Sequence, residues 1–191
     1  MNNIPAIAND STLGGDGRLE DVVRLPDGVD LNEWLSTNLM DSYRQLKMLY
    51  GIVCGACTPE TCPRMTVGPK HEYSWTDGDQ IVPTTATLYI GYVMTWINDM
   101  FDDESTFPTQ VGKDFPKNFK KICETISRRM IRVYGHIYLS HFENVREQNA
   151  IPHLNTSYKQ FYLFTRQFSL ITDTDLEPLQ EITKKLVPES S

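Results

Sequence analysis

The sequence predicts an all-α fold with one small β-hairpin. Two observations carry this. Apolar residues recur at three- and four-residue steps through several separate stretches of the chain, the signature of helices with one buried face. Strict alternation is confined to one stretch, residues 71–82, and no strand–helix repeat surrounds it. The chain has 191 residues, 40% of them hydrophobic and 23% charged, enough for one domain with its own core.

Residues 1–29 are loop-like, with Gly14, Gly15, Gly17, Pro26 and Gly28 and few apolar periods. They read as a flexible arm, and residues 30–188 as the domain. Asp30 opens the first helix, with Glu33 three residues on in capping-box spacing. Leu31, Trp34, Leu35, Leu39, Tyr43, Leu46 and Leu49/Tyr50 form its stripe, and Gly51 ends or loosens it. Residues 54–70 are an irregular loop holding Cys54, Cys57 and Cys62. Residues 71–82 read as one two-stranded ribbon turning at Asp77-Gly78, too small to stand without helices behind it. After Pro83, a helix carries Tyr89, Val93, Trp96, Ile97 and Met100 and stops in the acidic stretch Asp99–Glu104. Pro116 suits the first turn of the longest helix. There Phe119, Ile122, Cys123, Ile126, Met130, Val133 and Ile137 make one buried stripe, weakened at Gly135. Asn155 is placed as the cap of the next helix. Thr172–Asp175 starts the last, with Pro178 in its first turn.

The net charge of −7 argues against a general nucleic-acid binder, whose footprint is basic. No apolar run is long enough to span a membrane. The first residues lack a basic region and an apolar core, so a reducing interior is expected. There, four cysteines serve as ligands or buried thiols more readily than as disulfides. The charge is uneven. Residues 111–150 carry +4 while every other part of the chain is negative. The basic island comprises Lys113, Lys117, Lys120, Lys121, Arg128, Arg129 and Arg132.

Cys57-x4-Cys62 and His136-x4-His141 are two pairs with the spacing of zinc ligands. Two readings stand at this point: one metal site built from both pairs, or two buried thiols and two ordinary histidines. Five residues along a straight helix turn through ~500°, leaving the imidazoles ~140° apart. A metal site is therefore favoured by a helix break or end near Gly135–His141. Cys54-x2-Cys57 permits a redox reading, but the thioredoxin-like surroundings are absent. Cys123 lies on the apolar stripe and reads as core.

Arg128 and Arg132 are four apart, neighbours on a helix surface, with Arg129 beside them. The bland reading is a solvated face. Against it, Arg129 and Arg132 lack an acidic partner at helical spacing. Guanidinium groups so placed can fork around a phosphate dianion such as phosphothreonine.

A set of motifs then resembles one known family. They are Asp30-Leu-Asn-Glu-Trp34, Met48-Leu-Tyr-Gly51, Cys57-Thr-Pro-Glu-Thr-Cys-Pro63, Gly68-Pro-Lys-His-Glu-Tyr-Ser-Trp75, Phe115-Pro-Lys-Asn-Phe119, Arg132-Val-Tyr-Gly-His-Ile-Tyr138, His153-Leu-Asn-Thr-Ser157 and Leu176-Glu-Pro-Leu-Gln180. Together they are similar to the Mob/phocein kinase-activator family, from about Ser11 to Leu186, and most similar to its Mob one branch. The resemblance implies a helical bundle with a four-helix core, a small β-hairpin and one structural zinc (Zn2+) on Cys57, Cys62, His136 and His141. It implies a phosphopeptide pocket at Arg128, Arg129 and Arg132, where the first position is commonly Lys. It also implies a kinase-docking surface at Glu33, Trp34, Asn38 and Asp41, continued by Phe107 and Pro108. Val29 stands where the family usually has an acid. A regulatory threonine falls on Thr12, behind an extension shorter than is usual.

The function implied is that of a non-catalytic coactivator and adaptor in Hippo, mitotic-exit and cytokinesis signalling. Its partners would be the N-terminal regulatory region of an NDR/LATS-type kinase and a phosphothreonine motif of an upstream Hippo/MST-type kinase. The expected location is the cytoplasm, with the nucleus or the spindle pole and division site. The alternative is a phocein-like adaptor in a phosphatase–kinase assembly. A zinc hydrolase fits poorly: four protein ligands fill the tetrahedron, and no Glu adjoins the histidines in H-E-x-x-H fashion.

Overall fold

Asp30 starts the first long helix as its position demands. Its carboxylate accepts the backbone N–H groups of Asn32 and Glu33 at 2.9 and 3.1 Å, two of the donors a helix N-terminus leaves unpaired. In this computed structural model, which describes residues 19–77 and 79–187, that helix is α2, Leu31–Val53. It runs through Gly51 instead of ending there. Val53 is fully buried, and that burial outweighs the ~1 kcal/mol a helical glycine costs. Ahead of it, a single turn, α1 (Leu19–Val22), lies within the stretch expected to be a flexible arm. The described part of that stretch is docked: Val23 is buried, and its carbonyl accepts the Trp34 indole N–H at 3.2 Å.

The ribbon expected over residues 71–82 is two ribbons. Strand β1 (Met65–Val67) pairs antiparallel with β2 (His71–Tyr73), and β3 (Trp75–Asp77) pairs with β4 (Gln80–Val82). Residues 71–73 thus pair backward into what reads as irregular loop. Met65 and Val67 are buried while Thr66 between them is not, and β1 lies against α4 (Phe119–Ser140). Gly78 of the expected turn lies outside the described residues. Thr85 caps α3 (Ala86–Asp102), its hydroxyl accepting from Leu88 N–H at 3.3 Å.

Helix α4 has 22 residues, one fewer than α2. Pro116 precedes it by a turn, its carbonyl accepting from Phe119 N–H at 2.9 Å. A short helix, α5 (Phe142–Glu147), follows at once. The next helix, α6 (Ile151–Gln167), begins before Asn155. Asn149 takes a left-handed φ of 55° and turns the chain, and Pro152 enters the first turn. Asn155 is therefore no cap. It is fully buried, and its Oδ1 accepts from the Tyr138 hydroxyl at 3.0 Å. Thr172 and Asp175 form a reciprocal capping box on α7 (Asp173–Leu176). Pro178 then forces a 3-10 turn, Glu177–Leu179, before α8 (Gln180–Leu186).

The core is built by α2, α3, α4 and α6, with α4 packed on α2, α3 and β1. A chain of aromatic rings, Tyr43, Phe101, Phe107, Phe119 and Phe115, crosses it at centroid spacings of 5.4, 4.8, 5.0 and 4.5 Å. No helix among the described residues is long and apolar enough to cross a membrane.

Candidate functional site

Helix α4 and the cysteine loop bring the two predicted pairs into one buried cluster. The ligand atoms of Cys57, Cys62, His136 and His141 all lie within 4.8 Å of one another. Cys57 Sγ is 3.5 Å from His136 Nε2, and Cys62 Sγ is 3.5 Å from His141 Nε2. A tetrahedral zinc with ordinary Zn–S and Zn–N bonds has an S···N edge of about 3.6 Å. The donor set fits that metal. Each imidazole is also oriented from behind. His136 Nδ1 donates to the Thr66 carbonyl at 2.8 Å, and His141 Nδ1 donates to Asn144 Oδ1 at 3.3 Å. Both bonds leave Nε2 with its lone pair facing the cluster. Burial pushes the Cys57 thiol up, joined by the charge of Cys62, and lowers both imidazoles. Neutral imidazoles suit coordination, and a bound cation would offset the charge of the thiolates.

Two features of α4 make the cluster possible. The helix stays regular through Gly135 and ends at Ser140, so His141 sits at φ −131°, outside the helical spiral that would hold the two rings apart. Gly135 serves a close approach instead of a break. A Cβ on it would lie 2.4 Å from Val67 Cγ1. Only a glycine lets β1 come near enough for Thr66 to reach His136.

The arginines lie on the middle turns of the same helix, N-terminal to His136. The Arg129 guanidinium is held between two indoles, 4.4 Å from the Trp75 ring centre and 4.0 Å from that of Trp96. Arg132 lies 4.4 Å over the Tyr73 ring and donates to the Tyr89 hydroxyl at 2.9 Å. Arg128 is exposed, its Nε donating to the Glu124 carbonyl at 3.4 Å. Arg129 Nη1 is buried without a hydrogen-bond partner. Burial lowers Arg129 from its ordinary value; Tyr89 opposes this, and the neighbouring Arg132 charge adds to it. Among the described residues, none of the three is in an ion pair. The site is a pre-oriented cationic surface with spare donors, suited to an oxyanion.

The remaining expected positions separate. Glu33 and Asp41 are exposed on α2, and Asp41 pairs with Arg44 at 2.9 Å. Trp34 is half-buried, and Asn38 Nδ2 donates to the Trp34 carbonyl at 2.9 Å. Phe107 is a core side chain between Phe101 and Phe119, leaving Pro108 to reach the surface. Thr12 lies outside the described residues. Cys54 is exposed and stands outside the ligand cluster, its thiol bonded to the Gly51 carbonyl at 3.2 Å. Cys123 is core, as its stripe position implies, and burial pushes its thiol up to about 12.

Sequence reasoning misses the residues that hold these groups in place. Thr66 acts through its carbonyl, which no side-chain pattern reveals. Asn144 follows His141 by three residues, a spacing that is readable once the ligand is known. Tyr73, Trp75, Tyr89 and Trp96 come from two ribbons and a helix, and nothing local pairs them with a guanidinium.

Fold and site together define a helical domain in which the cysteine loop and the central helix converge on a buried Cys2His2 cluster. The chain matches the model of the Mob1/phocein family over residues 10–179. It is 47% identical to MOB kinase activator-like 1A of Arabidopsis thaliana over 181 residues, 93% of this chain and 84% of that protein. At the same coverage it is 46% identical to MOB kinase activator-like 1B of Arabidopsis thaliana. It is 43% identical, again over 93% and 84%, to MOB kinase activator-like 1 homolog A of Dictyostelium discoideum. This chain belongs to the Mob1/phocein family.

Proposed function

We propose that the protein is a non-catalytic coactivator and adaptor of protein kinases, with two binding surfaces on one bundle. The names of its relatives support the kinase role. The first surface is the N-terminal half of α2. Trp34, Asn38 and Asp41 follow one another at four- and three-residue steps, with Glu33 adjoining and Pro108 beyond. Its acidic groups would steer and grip the basic N-terminal regulatory region of an NDR/LATS-type kinase. The second surface is Arg128, Arg129 and Arg132, which would read a phosphothreonine of an upstream Hippo/MST-type kinase. A structural zinc on Cys57, Cys62, His136 and His141 would fasten the ribbons to α4. Tyr73 and Trp75, which support Arg132 and Arg129, would thereby be fixed. Four protein ligands leave such a zinc no open position for substrate, which supports a structural role. The reading carries with it a cytoplasmic protein with access to the nucleus or to the spindle pole and division site.

The observation that carries this reading is Arg129. A cation stacked on two indoles, with a buried N–H group and no ion-pair partner among the described residues, is arranged for an anion from elsewhere. The test is isothermal calorimetry with one threonine peptide in phosphorylated and unphosphorylated forms. Binding of only the phosphorylated form, abolished in R129A/R132A, is the expected result. Equal binding of both forms would remove the phosphothreonine site.

A further inference from the structure

We propose that the phosphothreonine bound at this site carries acidic residues three to five positions away, held by Lys117, Lys120 and Lys121 along the exposed face of α4. This rests on the reading that the arginines bind phosphothreonine, and it names the class of sequence they accept.

The geometry follows from the helix. Lys121, Arg128 and Arg132 are seven and eleven residues apart, so at ~100° per residue they fall within about 20° of one line along α4. Lys117 precedes the helix by less than a turn, and Lys120 flanks Lys121. All three lysines are exposed, and among the described residues none is in an ion pair. Lys113 differs, because Glu104 engages it at 3.8 Å. Glu124 is the one acid between Lys117 and Arg132, a stretch of net charge +5. At ~1.5 Å per residue, Lys121 lies about 13 Å from the middle of the arginine cluster. An extended peptide covers that distance in about four residues.

The surrounding charge selects the occupant. The protein as a whole carries a formal charge of −7, which disfavours a long polyanion or an extended anionic membrane as the occupant. A short acidic segment running from a phosphate along α4 needs only the stripe, whose net charge is +5. Its attraction acts over roughly one Debye length, about 10 Å at 0.1 M salt, so the lysines must lie alongside the peptide to matter. The line of α4 provides that.

The experiment uses fluorescence anisotropy and the full chain. Four phosphothreonine peptides share a neutral sequence and differ at positions three to five from the phosphate. Two carry Glu there, on the N- or the C-terminal side, and two carry Gln. An unphosphorylated Glu peptide is the fifth probe. One Glu phosphopeptide should bind about tenfold tighter than its Gln counterpart. In K117Q/K120Q/K121Q that advantage should fall to less than twofold, while the Gln phosphopeptides keep their affinity. The favoured side gives the direction in which the peptide runs along α4. Equal affinity for Glu and Gln phosphopeptides on both sides would overturn the proposal and leave the arginine site standing. Binding of the unphosphorylated peptide as tightly as the phosphorylated one would overturn both. Capture by phosphatidylserine vesicles that the lysine variant loses, with no effect of flanking Glu, would assign the stripe to a membrane and overturn the proposal.

Discussion

Replacing Gly135 by Ala tests how the ribbon and the central helix are fitted together. The new Cβ would stand 2.4 Å from Val67 Cγ1 and 3.2 Å from Cγ2. Carbon atoms sit comfortably at about 3.5–4.0 Å, so β1 and α4 must part by roughly 1 Å. Valine is branched and stiff at χ1, so it cannot swing both methyl groups away. Alanine gains about 1 kcal/mol of helix propensity over glycine. Overpacking of this kind costs about 1–3 kcal/mol, and displacement of Thr66 from His136 adds to it. The expected net loss is up to about 2 kcal/mol, or about 4–8 °C in Tm for a chain of this size. Val67→Ala alone should destabilise by about 1.5 kcal/mol through the lost methyl groups. Combined with Gly135→Ala, it should cost little or restore stability, a coupling of about 1–3 kcal/mol. Urea unfolding of the four proteins in excess zinc measures this, and competition with a chromophoric chelator measures metal retention. Weaker retention in Gly135→Ala and recovery in the double variant are predicted. Additive effects of the two substitutions, or a Gly135→Ala protein that retains zinc as tightly as wild type, would refute the close-approach argument.

Arg129→Lys keeps the charge but not the plane that stacks between Trp75 and Trp96. Phosphopeptide affinity in calorimetry should fall at least tenfold, and wild-type affinity would show that the stacked geometry is irrelevant. Arg129→Ala should also lower Tm by several degrees, since each cation–π contact is worth about 0.5–2 kcal/mol. Arg128→Ala, at an exposed position, should weaken the phosphopeptide and leave the melting curve unchanged. Glu33→Lys with Asp41→Lys should reduce pull-down of an NDR-type kinase fragment while the phosphopeptide binds normally. Loss of both ligands together would contradict two separate surfaces.

The periodic parts of the fold are legible because burial writes them into the sequence. The stripes of α2 and α4, the Asp30 cap and the Thr172 start of α7 all rest on local spacing. The Cys2His2 cluster is legible for a different reason: its two residue types are scarce, with four cysteines and four histidines in the chain, and their spacings match zinc ligation. What resists reading is decided across long sequence distances. Strand β2 pairs with β1 because α4 offers Met65 and Val67 a buried seat, and nothing in residues 65–73 announces that. Asn155 has the chemistry of a cap and is taken inward by the Tyr138 hydroxyl. Gly135 looks like a weakness of α4 until Val67 is seen against it. The arginines read as a solvated or phosphate-binding face, whereas the stacking of Arg129 and Arg132 on rings from β2, β3 and α3 depends on the assembled bundle.

The measurement that bears most directly on this account is metal content combined with thermal melting. Protein purified without added metal should contain about one zinc per chain by mass spectrometry. Stripping it with a strong chelator should collapse the melting transition and abolish phosphopeptide binding, and one equivalent of zinc should restore both. A metal-free chain that melts and binds as before would contradict the claim that a Cys2His2 metal site fastens the ribbons to α4.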